Sequence, residues 1–122
     1  MTSLVVRPSM LKGTVKAPPS KSYTHRAFAI ALLARGQSEV INPLQSLDTR
    51  ATMDAVKILG GGLEKTELGW RVKGTAGNLE PKSRVIHVGN SGTTLRFFSA
   101  IAALSPEPVG LTGDESILAR PM

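Results

Sequence analysis

The stretch PPSKSYTHRA at residues 18–27 decides the predicted fold, because its pattern returns as GNSGTTLRFF at residues 89–98. Each stretch is a small polar loop that leads into apolar residues at helical spacing, and aligning the loops matches Thr24 with Thr94. A pattern that restarts along a chain indicates copies of one structural unit. The sequence therefore predicts a repeated strand, loop and helix, with the second copy incomplete at residue 122.

Strands and helices are predicted to alternate on both sides of these loops. The first copy is predicted to be βαβαββ, and the second to be βαβ followed by the start of a helix. Asp48 is expected to cap the second helix, which the glycines at 60–62 end. The fold class is thus α/β, in the mixed α+β sense, with about one and a half βαβαββ units. The predicted strands are 4–7, 11–16, 39–44, 63–68, 70–73, 84–88 and 108–112, and the predicted helices are 23–34, 48–59 and 93–104.

The composition is that of an ordinary globular chain. Its 122 residues are 41% hydrophobic, which suits one domain with a modest core and no bilayer-spanning run. The start of the chain lacks the sustained apolar stretch of a signal peptide. The absence of Cys excludes disulfides, thiolate zinc sites and cysteine nucleophiles, and it favours a reducing compartment. We expect a cytoplasmic protein with no membrane partner.

A net charge of +6, from 15 Lys and Arg against 9 Asp and Glu, raises the question of an anionic partner. Nucleic acid is not expected, because the basic residues are scattered and no aromatic side chain interleaves with a basic run. A small phosphorylated or carboxylated ligand accounts for the charge equally well, and so does an acidic remainder of a longer chain.

The two repeated loops carry the chemistry of the chain. A small polar loop before a helix leaves backbone N–H groups unpaired at the positive end of the helix dipole, which favours an anion. In the first loop, Ser22 can cap the helix or bind a carboxylate, Lys21 adds a point charge and Arg26 adds a planar fork. In the second loop, Gly92 leaves the backbone open, Thr93 adds a hydroxyl group and Arg96 repeats the role of Arg26.

Plainer interpretations apply to other polar residues. His25 and His87 have no spaced partner for a metal, so we expect both to be structural or exposed. Asp48 and Asp114 stand at helix starts, where capping is the ordinary role. GNSGTT lacks the Gly-Lys-Thr ending of a nucleotide-binding P-loop. No metal site and no catalytic acid and base pair are predicted.

The three runs PPSKSYTHRA, GNSGTTLRFF and GDESILARPM, with LQSLDT at 44–49, resemble in order and spacing the amino-terminal signatures of the EPSP (5-enolpyruvylshikimate-3-phosphate) synthase family. The resemblance implies two lobes of three βαβαββ units each. It assigns residues 1–12 to a strand segment of the other lobe and 13–122 to an incomplete amino-terminal lobe, with units at 11–74 and 84–122.

The resemblance also implies a reaction, in which the enolpyruvyl group of phosphoenolpyruvate moves to the 5-hydroxyl of shikimate 3-phosphate during aromatic amino acid synthesis. The implied ligands of shikimate 3-phosphate are Lys21, Ser22 and Arg26, those of phosphoenolpyruvate are Lys21, Gly92 and Arg120, and the supporting residues are Asp48, Asn90, Thr93 and Arg96. Gly92 is where the inhibitor glyphosate fits closely in the family, whereas Ser91 and Thr94 stand where many members carry Ala.

The resemblance further implies that catalytic residues lie in later units, so this amino-terminal fragment alone is expected to be inactive. It implies no cofactor, a carboxy-terminal remainder of the enzyme as partner, and a monomeric full enzyme. Two alternatives stay open. One is a fragment of the sister transferase that acts on UDP-N-acetylglucosamine, whose reactive Cys is missing here. The other is a complete, non-enzymatic anion-binding module.

Overall fold

A computed structural model describes residues 2–122 of the chain. Within this range, four helices and five strands follow the irregular segment 2–20. In chain order these are α1 (Lys21–Leu33), β1 (Gln37–Ile41), α2 (Leu47–Ile58), β2 (Gly62–Lys65), β3 (Gly69–Lys73), β4 (Val85–His87), α3 (Gly92–Ala102), β5 (Gly110–Thr112) and α4 (Glu115–Leu118). The described residues contain no helix long and apolar enough to cross a membrane.

Each helix begins at a side chain that accepts a backbone hydrogen bond, as short polar residues favour. Ser20 caps α1, Ser46 caps α2, Ser91 caps α3 and Asp114 caps α4. At α2 the cap is reciprocal, because the hydroxyl group of Thr49 also accepts from the Ser46 N–H. The helix starts are therefore set by the local sequence.

The strands form two small sheets. β3 lies between β1 and β2 and is antiparallel to both, and β4 pairs with β5 in parallel. β2 and β3 correspond to the predicted strands 63–68 and 70–73, although β2 ends at Lys65 and β3 includes Gly69. Helix α3 lies between β4 and β5 in the sequence and connects them, so the three elements form a strand–helix–strand unit.

The core forms where α2 packs against both α1 and α3 and the sheets cover them. Phe28 and Leu32 come from α1, Val56 from α2 and Phe98 from α3, and all four are fully buried. Ile86 adds the second sheet to the same cluster. The two predicted units thus share one core, and both α1 and α3 pack against it.

Three predictions about elements are wrong. Residues 4–7 and 11–16 form no strand, since no neighbouring strand pairs with them, and Val5 and Leu11 remain 78% and 95% exposed. Ser46, rather than Asp48, caps α2, because Ser46 stands at the residue where the backbone is still extended. Of the two roles predicted for Ser22, the capping role belongs to Ser20, because Ser22 lies two residues later, inside the first turn of α1.

Other boundaries differ by a few residues. β1 ends at Ile41 rather than at 44, since Asn42 adopts a positive φ of 47° and Pro43 follows. Helix α3 ends at Ala102 rather than at 104. The aligned loops are also offset, because the cap of α1 is Ser20 and the cap of α3 is Ser91, which the sequence alignment had placed opposite Lys21.

Candidate anion-binding site

The beginnings of α1 and α3 have the properties of anion-binding sites, and they are here called the first and the second anion seat. Neither helix carries an acidic side chain in its first turn. In the part of the chain that the structure describes, the N–H groups of Lys21 and Ser22 have no protein acceptor, and neither do those of Gly92 and Thr93. Unpaired donors at a positive helix end attract an anion. Both loops therefore keep the arrangement that the sequence predicts.

Lys21 is held by an acceptor on α2. Its Nζ donates to Oδ2 of Asp48 over 2.8 Å, and the side chains are 52% and 31% exposed. An ion pair this accessible contributes between zero and about 1 kcal/mol. An incoming phosphate or carboxylate can therefore compete with Asp48 for the ammonium group.

The second loop is held by an arginine from beyond α4. Nη2 of Arg120 donates to Oδ1 of Asn90 and to Oγ of Ser116, each over 2.9 Å. A methyl group built on Gly92 would lie 3.7 Å from Nη1 of Arg120. The guanidinium group is thus fixed beside the open backbone of Gly92, with its other nitrogens available to an anion.

One cleft of about 670 Å³ is lined by one residue of each cluster, although Lys21, Gly92 and Arg120 do not line it. Its lining includes Asp48, which holds Lys21, and Asn90, which holds Arg120. His87 and Asp114 also line it. The acceptors that position the two predicted phosphoenolpyruvate-binding cations thus lie on the same cleft.

The remaining predicted site residues are not gathered into these contacts. Arg26 is exposed and lies over the ring of Tyr23, with its Cζ 5.9 Å from the ring centroid. Ser22 and Arg96 are exposed, and Thr93 is half-buried. Among residues 2–122, Arg26 and Arg96 form no ion pair. Both guanidinium groups are therefore available to bind an anionic ligand.

A buried chain of polar side chains, here called the hydroxyl network, lies behind the two loops. His25 Nδ1 lies 2.6 Å from Thr52 Oγ1, Thr52 Oγ1 lies 2.7 Å from Thr94 Oγ1, and Thr94 Oγ1 lies 2.6 Å from Ser91 Oγ. All four residues are at most 1% exposed. The network therefore links α1, α2 and the cap of α3 inside the core.

The environment of His25 favours its neutral form. Burial lowers the pKa of the imidazole from its ordinary value of 6.5; the Asp48 carboxylate opposes this shift, and the Lys21 ammonium group adds to it. Nε2 has no hydrogen-bond partner among the described residues. Protonation would place an unpaired N–H there, which agrees with the direction of the shift. The prediction of a structural His25 agrees with this environment.

Comparison with known proteins decides the family. The family model of EPSP synthase (3-phosphoshikimate 1-carboxyvinyltransferase) matches residues 5–122. The chain belongs to the EPSP synthase family. Among its relatives, a 3-phosphoshikimate 1-carboxyvinyltransferase of Methanothermobacter thermautotrophicus is 48% identical over 122 residues, which are all of this chain and 29% of the relative. One of Aeropyrum pernix is 49% identical over 119 residues, covering 98% of this chain and 27% of the relative.

The fold agrees with the family assignment. EPSP synthase from Acinetobacter baumannii superposes with a TM-score of 0.81 at 31% identity, over 90% of this chain and 26% of that structure. The predicted fold class is confirmed by this likeness. The chain thus spans between a quarter and a third of the length of these EPSP synthases.

Two polar residues of this EPSP synthase family chain were missed by sequence reasoning. Ser116 helps to hold Arg120, and its position four residues before Arg120, on the same side of a helical turn, was an available signal. Thr52 joins His25 to Thr94 in the middle of α2. No local pattern marks Thr52, because its partners come from two other helices.

Proposed function

We propose that this chain forms one wall of the substrate site of a 3-phosphoshikimate 1-carboxyvinyltransferase. In this proposal Lys21, Ser22 and Arg26 bind shikimate 3-phosphate, and Lys21, Gly92 and Arg120 bind phosphoenolpyruvate. Asp48, Asn90, Thr93 and Arg96 support them. The observation that carries the proposal is the single cleft whose lining residues hold both Lys21 and Arg120.

The chemistry of the two substrates fits the two seats. Shikimate 3-phosphate and phosphoenolpyruvate each carry a phosphate and a carboxylate group, so the pair needs several separate cations. Arg26 and Arg120 offer planar forks that suit bidentate contacts, whereas Lys21 offers a point charge that two anions can share. The free N–H groups of Gly92 and Thr93 add donors with no side chain in front of Gly92.

The contacts already present explain how binding would begin. Asp48 keeps Lys21 extended across the beginnings of α1 and α2, and Asn90 keeps Arg120 beside Gly92. Holding a cation in place before the ligand arrives reduces the entropy lost on binding. Because the Lys21–Asp48 pair is exposed, exchanging Asp48 for a phosphate oxygen has a small cost.

In the proposed reaction the methylene carbon of phosphoenolpyruvate gains a proton, and the 5-oxygen of shikimate 3-phosphate loses its proton and bonds to C2. Phosphate then leaves as the new methyl group gives up a proton and the double bond re-forms. The reaction needs a proton donor to the methylene carbon and a base for the attacking hydroxyl group. We assign neither role to residues 1–122, and we propose that further chain, of the kind the relatives possess, supplies them. The proposal places the complete, monomeric enzyme in the cytoplasm, which the absence of Cys supports.

Calorimetric titration of the chain with shikimate 3-phosphate tests the proposal. We expect binding that Lys21→Ala and Arg26→Ala each weaken by about tenfold or more, since each removes a charge-assisted contact. Lys65→Ala and Arg35→Ala are the matched controls, because they remove exposed charges of the same kind outside both loops.

The outcomes separate specific binding from general charge attraction. Equal weakening by the site variants and the controls would show that only net charge matters. Binding that appears only after the rest of a relative's chain is added would locate part of the seat outside residues 1–122. Absence of binding in both cases would refute the proposed function.

A further inference from the structure

The hydroxyl network connects the two proposed anion seats through the core. Ser91, at one end, immediately precedes Gly92 and caps α3. His25, at the other end, immediately precedes Arg26 and lies one helical turn after Lys21. Thr52 on α2 is the single member that contacts both sides. The network therefore ties both seats to the same residue of the same helix.

The contacts of α2 extend this link to Asp48. The hydroxyl group of Thr94 also donates to the backbone oxygen of Asp48 over 3.4 Å, and the Asp48 carboxylate holds Lys21. Helix α2 thus meets the second seat through Thr94 and the first seat through His25 and Lys21. A shift of α3 along α2 would break both contacts of Thr94, those to Thr52 and to the Asp48 oxygen, together.

Directional bonds make this link different from ordinary core packing. Apolar side chains of similar volume would fill the same space but would tolerate small sliding of the helices. A buried hydroxyl group that loses its partner pays the full cost of desolvation, so Thr52 and Thr94 resist such movement. Their distances of 2.6–2.7 Å leave little room for displacement.

We infer that Thr52 is a positioning residue, which fixes the separation of the two anion seats through its hydrogen bonds to His25 and Thr94. The inference rests on the proposed function for what the seats bind. Its structural content, that Thr52 holds the first turns of α1 and α3 against α2, is independent of any ligand.

Amide hydrogen exchange of the chain, followed by NMR, tests the structural content. The reporters are the amides of Thr24, Thr94 and Leu95, each of which donates to the cap residue of its own helix. The amide of Leu59 at the end of α2 serves as reference for global stability. In Thr52→Val we expect exchange at the reporters to rise about tenfold relative to Leu59, since one buried hydrogen-bonded link is lost.

Two further variants make the result specific. Thr52→Ser keeps the hydroxyl group and is expected to restore most of the reporter protection. Thr75→Val removes a hydroxyl group that donates to the Leu32 oxygen over 2.9 Å, away from both seats, and is expected to leave the ratio unchanged. An unchanged ratio in Thr52→Val, or an equal change in Thr75→Val, would overturn the inference.

A measurement on the unaltered chain covers the case in which Thr52→Val does not fold. Imidazole nitrogen shifts of His25 are expected to show one neutral tautomer, with the proton on Nδ1 and exchanging slowly, because Nδ1 faces Thr52 and Nε2 has no partner. A rapidly exchanging mixture of both tautomers would contradict a fixed network.

Ligand titrations separate this inference from the proposed function. In the unaltered chain, shikimate 3-phosphate is expected to strengthen the binding of phosphoenolpyruvate, and Thr52→Val is expected to reduce that strengthening more than it weakens either ligand alone. If no variant binds either ligand, the proposed function fails while the exchange result still decides the role of Thr52. If both ligands bind and their coupling is the same in Thr52→Val, the positioning role is refuted.

Discussion

The Nζ atom of Lys21 lies 2.8 Å from Oδ2 of Asp48, a residue that is 27 positions away in the sequence. This contact places the cation of the first loop against the beginning of α2, and the backbone oxygen of the same Asp48 accepts from Thr94 near the second loop. Asp48 therefore contributes to the site through its tertiary contacts, while the capping of its helix belongs to Ser46.

Ser46 and Asp48 should consequently have different effects on stability. We expect Ser46→Ala to lower the free energy of unfolding by about 1–2 kcal/mol, because it removes both halves of the capping box. Asp48→Asn removes an exposed ion pair and a first-turn charge, so we expect a loss below about 1 kcal/mol. Urea unfolding followed by Trp70 fluorescence measures both. A larger loss for Asp48→Asn would reassign the cap.

Gly92→Ala should weaken ligand binding without weakening the fold. Its Cβ would lie 3.7 Å from Arg120 Nη1 and 3.8 Å from Met122 Cε, which are ordinary contacts, and Ala is the better helix former. The added methyl group would nevertheless stand where the proposed anion approaches the backbone. We expect phosphoenolpyruvate, titrated in the presence of shikimate 3-phosphate, to bind at least about tenfold more weakly.

Gly110→Ala is the matched control for that substitution. Its Cβ would make an ordinary contact of 3.7 Å with the Arg84 oxygen, in a strand away from the loops. It is expected to leave the affinity for phosphoenolpyruvate unchanged. Equal affinities in Gly92→Ala and Gly110→Ala would exclude close approach of the ligand to Gly92.

Arg120→Lys tests whether the second seat needs a planar fork. The guanidinium group bonds Asn90 and Ser116 through one nitrogen and keeps others for an anion, which a single ammonium group cannot match. We expect the affinity for phosphoenolpyruvate to fall about tenfold at unchanged net charge. Arg84→Lys, at an exposed arginine paired with Glu107, is the control. Full affinity in Arg120→Lys would mean that charge alone suffices.

The lowered pKa of His25 predicts loss of stability in acid. The unfolded chain takes up a proton near pH 6.5 and the folded chain only at lower pH, so stability is complete above 6.5 and falls as the pH decreases towards the folded-state pKa. The added slope is at most about 1.4 kcal/mol per pH unit. Asp48 and Lys21 are the charged groups that act on His25, and their effects on its pKa oppose each other.

Thermal unfolding between pH 7 and pH 5 measures this effect. His25→Asn keeps a donor towards Thr52 but cannot gain the proton, so its stability should depend less on pH than that of the unaltered chain. His87→Asn, at an exposed histidine, should keep the original dependence. A His25→Asn variant with the original dependence would assign the acid loss to other groups.

The sequence by itself determined the order of the elements from α1 onward, both polar loops and the family. These features are local: cap residues, apolar spacing and glycine positions act within a few residues of the chain. The same local signals placed the cap of α2 two residues late and left Ser22 as a candidate cap of α1, because neighbouring polar residues such as Ser20 and Ser22 compete for one role.

Only the tertiary structure decided which polar residues meet. Lys21 reaches Asp48, Arg120 reaches Asn90 and Thr52 joins His25 to Thr94, each across 27 or more positions of the sequence. These contacts depend on α2 packing against both α1 and α3, which no short window of sequence contains. For the same reason residues 4–7 and 11–16, although strand-like in sequence, form no strand: a strand needs a partner to pair its backbone groups, and none lies beside them among residues 2–122.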